Sequence, residues 1–238
     1  DIIIGGTGSG DVHEAYSVAL PQGLENAGYT TDKALSQAYA EHIKAAKARR
    51  PETNPFLAPP PLPELVPTAD QIDAAATAND VALITIGRNS GEFIDRKAKD
   101  DFYLTEAEQT LIRNVSTAFH KAGKPVVVVL NIGGVIELAS WRDQVDAILL
   151  AWQPGQEAGH AMADVLSGKV NPSGKLTDTF ALDLKDYPAG ENFPGVTLLG
   201  PDPAASGGIV INDRAAEVDY RDDIWIGYRH FNTRGVEV

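Results

Sequence analysis

Glu92, Asp95, Arg96, Asp100 and Asp101 crowd into one polar loop, Gly87 to Asp101, directly after the apolar run Val81-Ala-Leu-Ile-Thr-Ile86. A carboxyl group on such a loop can give a proton to a leaving group and take one from water, the two halves of general acid–base work. In open α/β sheets ligands gather outside the carboxyl ends of the strands, and Glu92 stands where a working carboxylate is expected. The competing reading is structural: acidic and basic neighbours also form ion pairs, and Asp95 with Arg96 is read as such a pair.

A second stretch invites close approach. Gly5-Gly-Thr-Gly-Ser-Gly10 follows the apolar Ile2 to Ile4, and its backbone is not shielded by side chains. A flexible linker and a ligand-facing turn both remain open for it. Phosphate binding is excluded on detail. The P-loop pattern needs Lys after its last Gly, where this chain has Asp11, and GxGxxG begun at Gly6 also ends on Asp11. Ser9, Ser90 and Ser173 lack the glycine spacing of a nucleophile elbow. Glu157 and His160 stand at i, i+3, which is half of a di-iron motif; they are read as a surface pair. There is no HExxH and no Cys, so thiolate nucleophiles and Cys-ligated zinc drop out. No metal or cofactor is expected. Carboxylate chemistry is what remains.

The elements that must position these residues follow from hydrophobic periodicity. Val81 to Ile86, Pro125 to Leu130 and Asp146 to Ala151 read as buried strands, and Ile2 to Ile4 as the end of another. Helices are expected from His13 to Ala27, Lys33 to Arg50, Asp70 to Asn79, from Thr105 to Gly123, from Gly134 to near Trp141, and from Glu157 to Leu166. Thr105-Glu-Ala-Glu108 has the pattern of a capping box. Alternation of this kind predicts an α/β fold, a three-layer α/β/α sandwich on a mostly parallel sheet. The loops after Ile4, Ile86, Leu130 and Ala151 then emerge on one edge. Pro51, Pro55, Pro59, Pro60, Pro61, Pro63 and Pro67 make residues 50–67 a semi-rigid excursion. Periodicity fades over 182–222, after which Gly207 to Asn212 and Asp223 to Phe231 read as extended segments.

Composition narrows the partners. Across 238 residues, 33 acidic against 20 basic side chains give a net charge of −13, which repels nucleic-acid backbones and anionic lipid headgroups. No apolar run approaches the roughly 20 residues that cross a bilayer. Nucleic acid and membrane are therefore not expected as partners. The chain opens on Asp1-Ile-Ile-Ile4 without Met or a leader and is expected to be a piece of a longer polypeptide, which leaves localisation open.

Five blocks, in this order, resemble the second domain of family 3 glycoside hydrolases, the β-glucosidase-like enzymes. They are Gly5-Gly-Thr-Gly-Ser-Gly-Asp-Val12, Ser90-Gly-Glu-Phe-Ile-Asp-Arg96, Leu104 through Gln109 to Leu111-Ile112, Trp152-Gln-Pro-Gly-Gln-Glu157 and Asp164-Val-Leu-Ser-Gly-Lys-Val-Asn-Pro-Ser-Gly-Lys175. The resemblance spans nearly the whole chain, 1–238. It implies a sheet of about six strands and a neighbouring (β/α)8 barrel domain that supplies the nucleophilic Asp and most sugar contacts. By the same resemblance Glu92 is the general acid/base, and Gly8, Ser9, Asp11 and Ser90 approach the sugar. Phe93 and Thr177-Asp178 depart from the family's usual residues.

The function implied is the acid/base-bearing domain of a retaining β-glycosidase. An exo-acting β-glucosidase that removes terminal non-reducing β-D-glucosyl residues from an oligosaccharide or glycoside comes first. A β-xylosidase or other exo-glycosidase, and a non-catalytic module that binds saccharide or barrel, are the alternatives. Retention needs two carboxyl groups about 5 to 5.5 Å apart, so this chain alone is expected to be inactive.

Overall fold

A computed structural model describes residues 2–11, 13–51, 60–92, 95–191, 195–197 and 216–238. They divide into two compact units, Asp1–Gly134 with Ser140–Gly174, and Val135–Ala139 with Lys175–Val238.

The first unit is an α/β sandwich. Strands β1 (Ala82–Arg88), β2 (Val126–Ile132) and β3 (Ala147–Leu150) form a parallel sheet in the order β1-β2-β3. β2 is buried on both faces, which accounts for its unbroken run Val126 to Leu130. On one face Val129 packs with Leu20 of α1 (Leu20–Asn26) and with Ala158 and Met162 of α5 (Ala158–Leu166), and Leu83 and Leu149 border the cluster. On the other, α3 (Ala69–Ala78) lies beside α4 (Glu106–Lys121), and α4 packs on β1 and β2. The buried stripe of α4 is Leu111, Ile112, Val115 and Phe119, each large side chain contributing about 1.5–3 kcal/mol of burial. Its capping box is formed, with Thr105 accepting from the Glu108 N–H and Glu108 reaching back.

Helices α1 and α5 touch backbone to backbone. A Cβ on Gly23 would lie 2.0 Å from the Gly159 carbonyl oxygen, and one on Gly159 would lie 2.2 Å from that of Ala19. The remaining helix, α2 (Lys33–Arg49), starts on the Asp32 carboxylate, which accepts from the amides of Ala34 and Leu35. It anchors the described end of the proline-rich excursion: Tyr39 Oη lies 3.1 Å from the Leu65 carbonyl and His42 Nε2 2.7 Å from that of Pro63.

Several sequence expectations are corrected. Among the described residues the parallel sheet has three strands, not about six. Ile2 to Ile4 is not a strand, because the Asn131 side chain, not a neighbouring backbone, bonds Ile3 at both its N–H and its carbonyl. The helix expected from His13 begins only at Leu20. Pro21 lacks an N–H and its ring would clash with a preceding helical turn, and Val18 instead bonds outward, to the Gln156 carbonyl and the Gly159 N–H. No helix forms between Gly134 and Trp141; one short 3-10 turn follows at Arg142–Gln144.

In the second unit, β4 (Val196–Thr197) pairs antiparallel with β5 (Ala216–Glu217). The segment Asp223 to Phe231 is not extended: it turns and enters α6 (Tyr228–Arg234), bracketed by Gly227 at φ 55° and Gly235 at φ 66°. Tyr187 and Phe231 meet edge to face at 5.6 Å. Residues 207–212 lie outside the described residues.

Candidate active site

Glu92 leaves the sheet four residues beyond the end of β1. Its loop is laid in register against the glycine-rich loop by a parallel bridge between Thr7 and Gly91. The Thr7 N–H donates to the Ser90 carbonyl at 2.8 Å, and the Glu92 N–H to the Thr7 carbonyl at 3.4 Å. Gly91 adopts φ +154°, and a Cβ there would sit 2.5 Å from Thr7 N, so two backbones meet where a side chain would separate them.

The glycine-rich loop then folds into a 3-10 turn, Gly8–Gly10, beneath the carboxylate. The Ser9 N–H donates to Glu92 Oε1 at 2.7 Å. The Ser9 hydroxyl and then this N–H hold the Glu92 carboxyl below its ordinary range, against a smaller opposing effect of desolvation. The carboxylate is exposed. Glu92, Gly8, Ser9 and Ser90 are thus brought together. Asp11 closes the turn through its N–H, 3.0 Å from the Gly8 carbonyl, and its exposed side chain makes no described contact with Glu92.

The other acidic groups of the loop are occupied differently. Arg96 pairs with Asp101, not with Asp95 as the sequence suggested. The reason is local. Asp100 at φ 58° turns the chain back, so that Asp101 accepts from both the Arg96 guanidinium and the Lys97 N–H. Arg88, the last residue of β1, forms a bidentate pair with Glu108, at 2.6 and 2.7 Å, and donates through Nε to the Asp101 carbonyl at 2.8 Å. These pairs tie Arg88 and Arg96, on either side of Glu92 in the chain, to Asp101 and Glu108. Glu157 and His160 form the expected surface pair at 2.5 Å. It extends to Tyr16 and Asn26 and ties α5 to the segment entering α1.

Four polar residues of the site were not singled out from the sequence. Asn89 Nδ2 donates to Thr7 Oγ1 at 3.0 Å, and Asn89 Oδ1 accepts from Ser90 N at 2.9 Å and Gln153 Nε2 at 3.2 Å. Gln153, Thr7 and Asn89 therefore join the loops after Ile4, β1 and β3. Asn131, 2% exposed, does the same one layer deeper, donating to the Ile3 carbonyl at 2.8 Å and the Trp152 carbonyl at 2.7 Å. The signal available in the sequence was position alone: each is a polar residue just past an apolar run, on the edge that parallel topology makes common. Among the described residues no group of His, Asp and Glu is arranged to hold a metal ion, and no helix is long and apolar enough to cross a membrane.

Fold and site define a class: an α/β/α domain that presents one carboxylate, over a glycine-rich turn, at the carboxyl edge of a parallel sheet. The chain matches the glycosyl hydrolase family 3 C-terminal domain over residues 1–228, and it belongs to that family. It is 38% identical to Beta-glucosidase A of Butyrivibrio fibrisolvens over 261 residues, covering 98% of this chain and 28% of that protein. The structure of beta-glucosidase 3B from Thermotoga neapolitana in complex with glucose superposes with a TM-score of 0.85 at 44% identity, over 99% of this chain and 31% of that one. An Exo-alpha-(1->6)-L-arabinopyranosidase of Bifidobacterium breve is 32% identical over 71% of this chain and 19% of its own length. The chain thus spans less than a third of each of these relatives.

Proposed function

We propose that this domain carries the general acid/base of a retaining, exo-acting β-glucosidase, and that Glu92 is that group. The observation that supports this best is the contact between Glu92 and the glycine-rich turn. Ser9 N–H engages Oε1, which leaves Oε2 to carry a proton toward a departing glycosidic oxygen. In the first half-reaction Oε2 protonates that oxygen as the bond to the anomeric carbon breaks. In the second, the carboxylate takes a proton from the water that releases the sugar. The bonds from Ser9 favour the ionised form needed for the second step. The neutral form needed for the first is favoured when a barrel domain covers the site and brings a second carboxylate close, since burial and like charge both raise a carboxyl pKa.

That barrel, elsewhere in the protein, supplies the nucleophile and most contacts to the terminal sugar, and the chain by itself is inactive. Gly8, Ser9, Asp11 and Ser90 line the approach to the sugar from this side. A glycosidase acting on another terminal sugar is the second reading, favoured by the similarity to an arabinopyranosidase.

The test is made in the full-length protein. Glu92→Ala slows substrates with alkyl leaving groups by about 10²- to 10⁴-fold, while single-turnover glycosylation by a dinitrophenyl glucoside, which needs little protonation, suffers much less. Azide restores turnover and yields the glycosyl azide. Equal slowing of both substrates with no azide product rules Glu92 out as acid/base. Turnover of an aryl glucoside by the isolated 238-residue chain that survives Glu92→Gln unchanged rules out the two-domain mechanism.

A further inference from the structure

We propose that Asn89 is a positioning residue for Glu92, acting through Thr7, with Gln153 as its support; this rests on the reading of Glu92 as acid/base. The hydrogen-bond directions are determined by the groups themselves. Thr7 Oγ1 has one proton and directs it to the Ser90 carbonyl at 3.2 Å, so toward Asn89 it accepts. Asn89 must therefore present its amino group to Thr7, at 3.0 Å. Its carbonyl oxygen then faces the Ser90 N–H and the Gln153 amide, at 2.9 and 3.2 Å. All the polar atoms of the Asn89 side chain are used, and each bond ends on a different loop or on the turn leading to Glu92.

The consequence is a fixed register. Thr7, held by Asn89 and by its own N–H bond to the Ser90 carbonyl, accepts the Glu92 N–H on its carbonyl, and two residues on, the Ser9 N–H donates to the carboxylate. Backbone and side chain of Glu92 are thus both referred to one loop, and Asn89 and Gln153 fasten that loop to the ends of β1 and β3. Asn89 is exposed, so its bonds contribute little to global stability. Their effect falls on placement, and a misplacement of about 1 Å in an acid/base group costs on the order of 10²-fold in rate.

The experiment compares Asn89→Ala, Gln153→Ala, their double variant, Thr7→Val and Thr7→Ser with Glu92→Gln, all in the full-length protein. Two substrates are used, an alkyl glucoside and a dinitrophenyl glucoside, followed in single-turnover glycosylation. Asn89→Ala is expected to lower kcat on the alkyl glucoside by about 10- to 100-fold with KM little changed, to spare the dinitrophenyl substrate, and to shift the limb of the pH profile that reports the acid. Gln153→Ala acts in the same direction but less. The double variant falls short of the product of the two, because they share a bond. Thr7→Ser retains activity that Thr7→Val loses. If Glu92→Gln separates the two substrates but Asn89→Ala slows both equally, or neither, the positioning role is overturned and the role of Glu92 stands. If Glu92→Gln does not separate them, both fall. Should Asn89→Ala fail to fold, Thr7→Val, which removes the bonds of Thr7 Oγ1 to Asn89 and Ser90, and Gln153→Ala, which removes its bonds to Asn89 and Ser90, are judged by the same substrate ratio.

Discussion

Glu92 fills the space that a side chain on Gly8 would need. A Cβ on Gly8 would lie 2.7 Å from Glu92 Cδ and 2.9 Å from both its Cβ and its Cγ. The carboxylate rests on bare backbone, and the same turn brings the Ser9 N–H to it. Gly8 also has φ +71°, a conformation that costs a residue with a side chain about 1–2 kcal/mol.

Gly8→Ala is therefore expected to do two things at once in the full-length protein: displace Glu92 and strain the turn. Activity on an alkyl glucoside should drop by about 10²-fold, the cost of a misplaced acid/base group. Thermal unfolding should move by only a few degrees. Steady-state kinetics beside calorimetry separate the two effects, and unchanged kinetics would show that Glu92 does not depend on this turn.

The Glu92 carboxyl has a folded pKa below its ordinary 4.5, through the Ser9 hydroxyl and N–H. A depressed carboxyl stabilises the fold above its unfolded pKa, and that contribution is lost as pH falls through the folded value. The ordering of the Gly8–Gly10 turn should thus be intact at neutral pH and weaken only below pH 4.5. Carboxyl-carbon NMR on the chain is expected to give a midpoint under 4.5 for Glu92, moving upward in Ser9→Ala. A midpoint above 4.5 in the wild-type chain would contradict the contact.

Where α1 crosses α5, the backbone leaves no room for a methyl group. Gly159→Ala would place a Cβ 2.2 Å from the Ala19 oxygen and 2.6 Å from its carbonyl carbon. Neither atom belongs to a flexible side chain. Destabilisation by about 1–3 kcal/mol is expected, read as a fall in the urea midpoint with the slope unchanged.

Asn131→Leu keeps the branching and the heavy-atom count and removes three bonds. The Ile3 N–H and carbonyl and the Trp152 carbonyl lose their partner. Stability should fall by about 1–3 kcal/mol, and amide exchange should quicken at Ile3 and in residues 5–10. Unaltered exchange there would show that the glycine-rich loop is held by other contacts.

Much of the frame is legible from the chain. The apolar runs ending at Ile86 and Leu130 are too short and too β-branched for buried helices and stop at Gly87 and Asn131, and the run ending at Ala151 is as short, so strands and their open edge follow. Thr105 and Glu108 mark the start of α4 three residues apart, as a capping box must. The misreadings lie where a local pattern was outweighed by a distant bond. His13 to Ala19 has helical periodicity, but Pro21 and the bonds of Val18 to Gln156 and Gly159 keep it out of a helix until Leu20.

The sequence by itself therefore determined the fold class, the family blocks and the identity of Glu92 as the candidate carboxylate, because residue type, period and spacing are local quantities. The partners of the charges were decided only in the folded chain. Asp95 is adjacent to Arg96 in sequence, yet Arg96 pairs with Asp101 once Asp100 reverses the chain. The seating of Glu92 on Gly8 and Ser9, 84 and 83 residues away in sequence, and its link through Thr7 and Asn89 to Gln153, exist only because parallel strands deliver their following loops to one edge. Contacts of that separation leave no periodic trace in the chain; they are set by sheet topology and by how closely glycine lets two backbones approach.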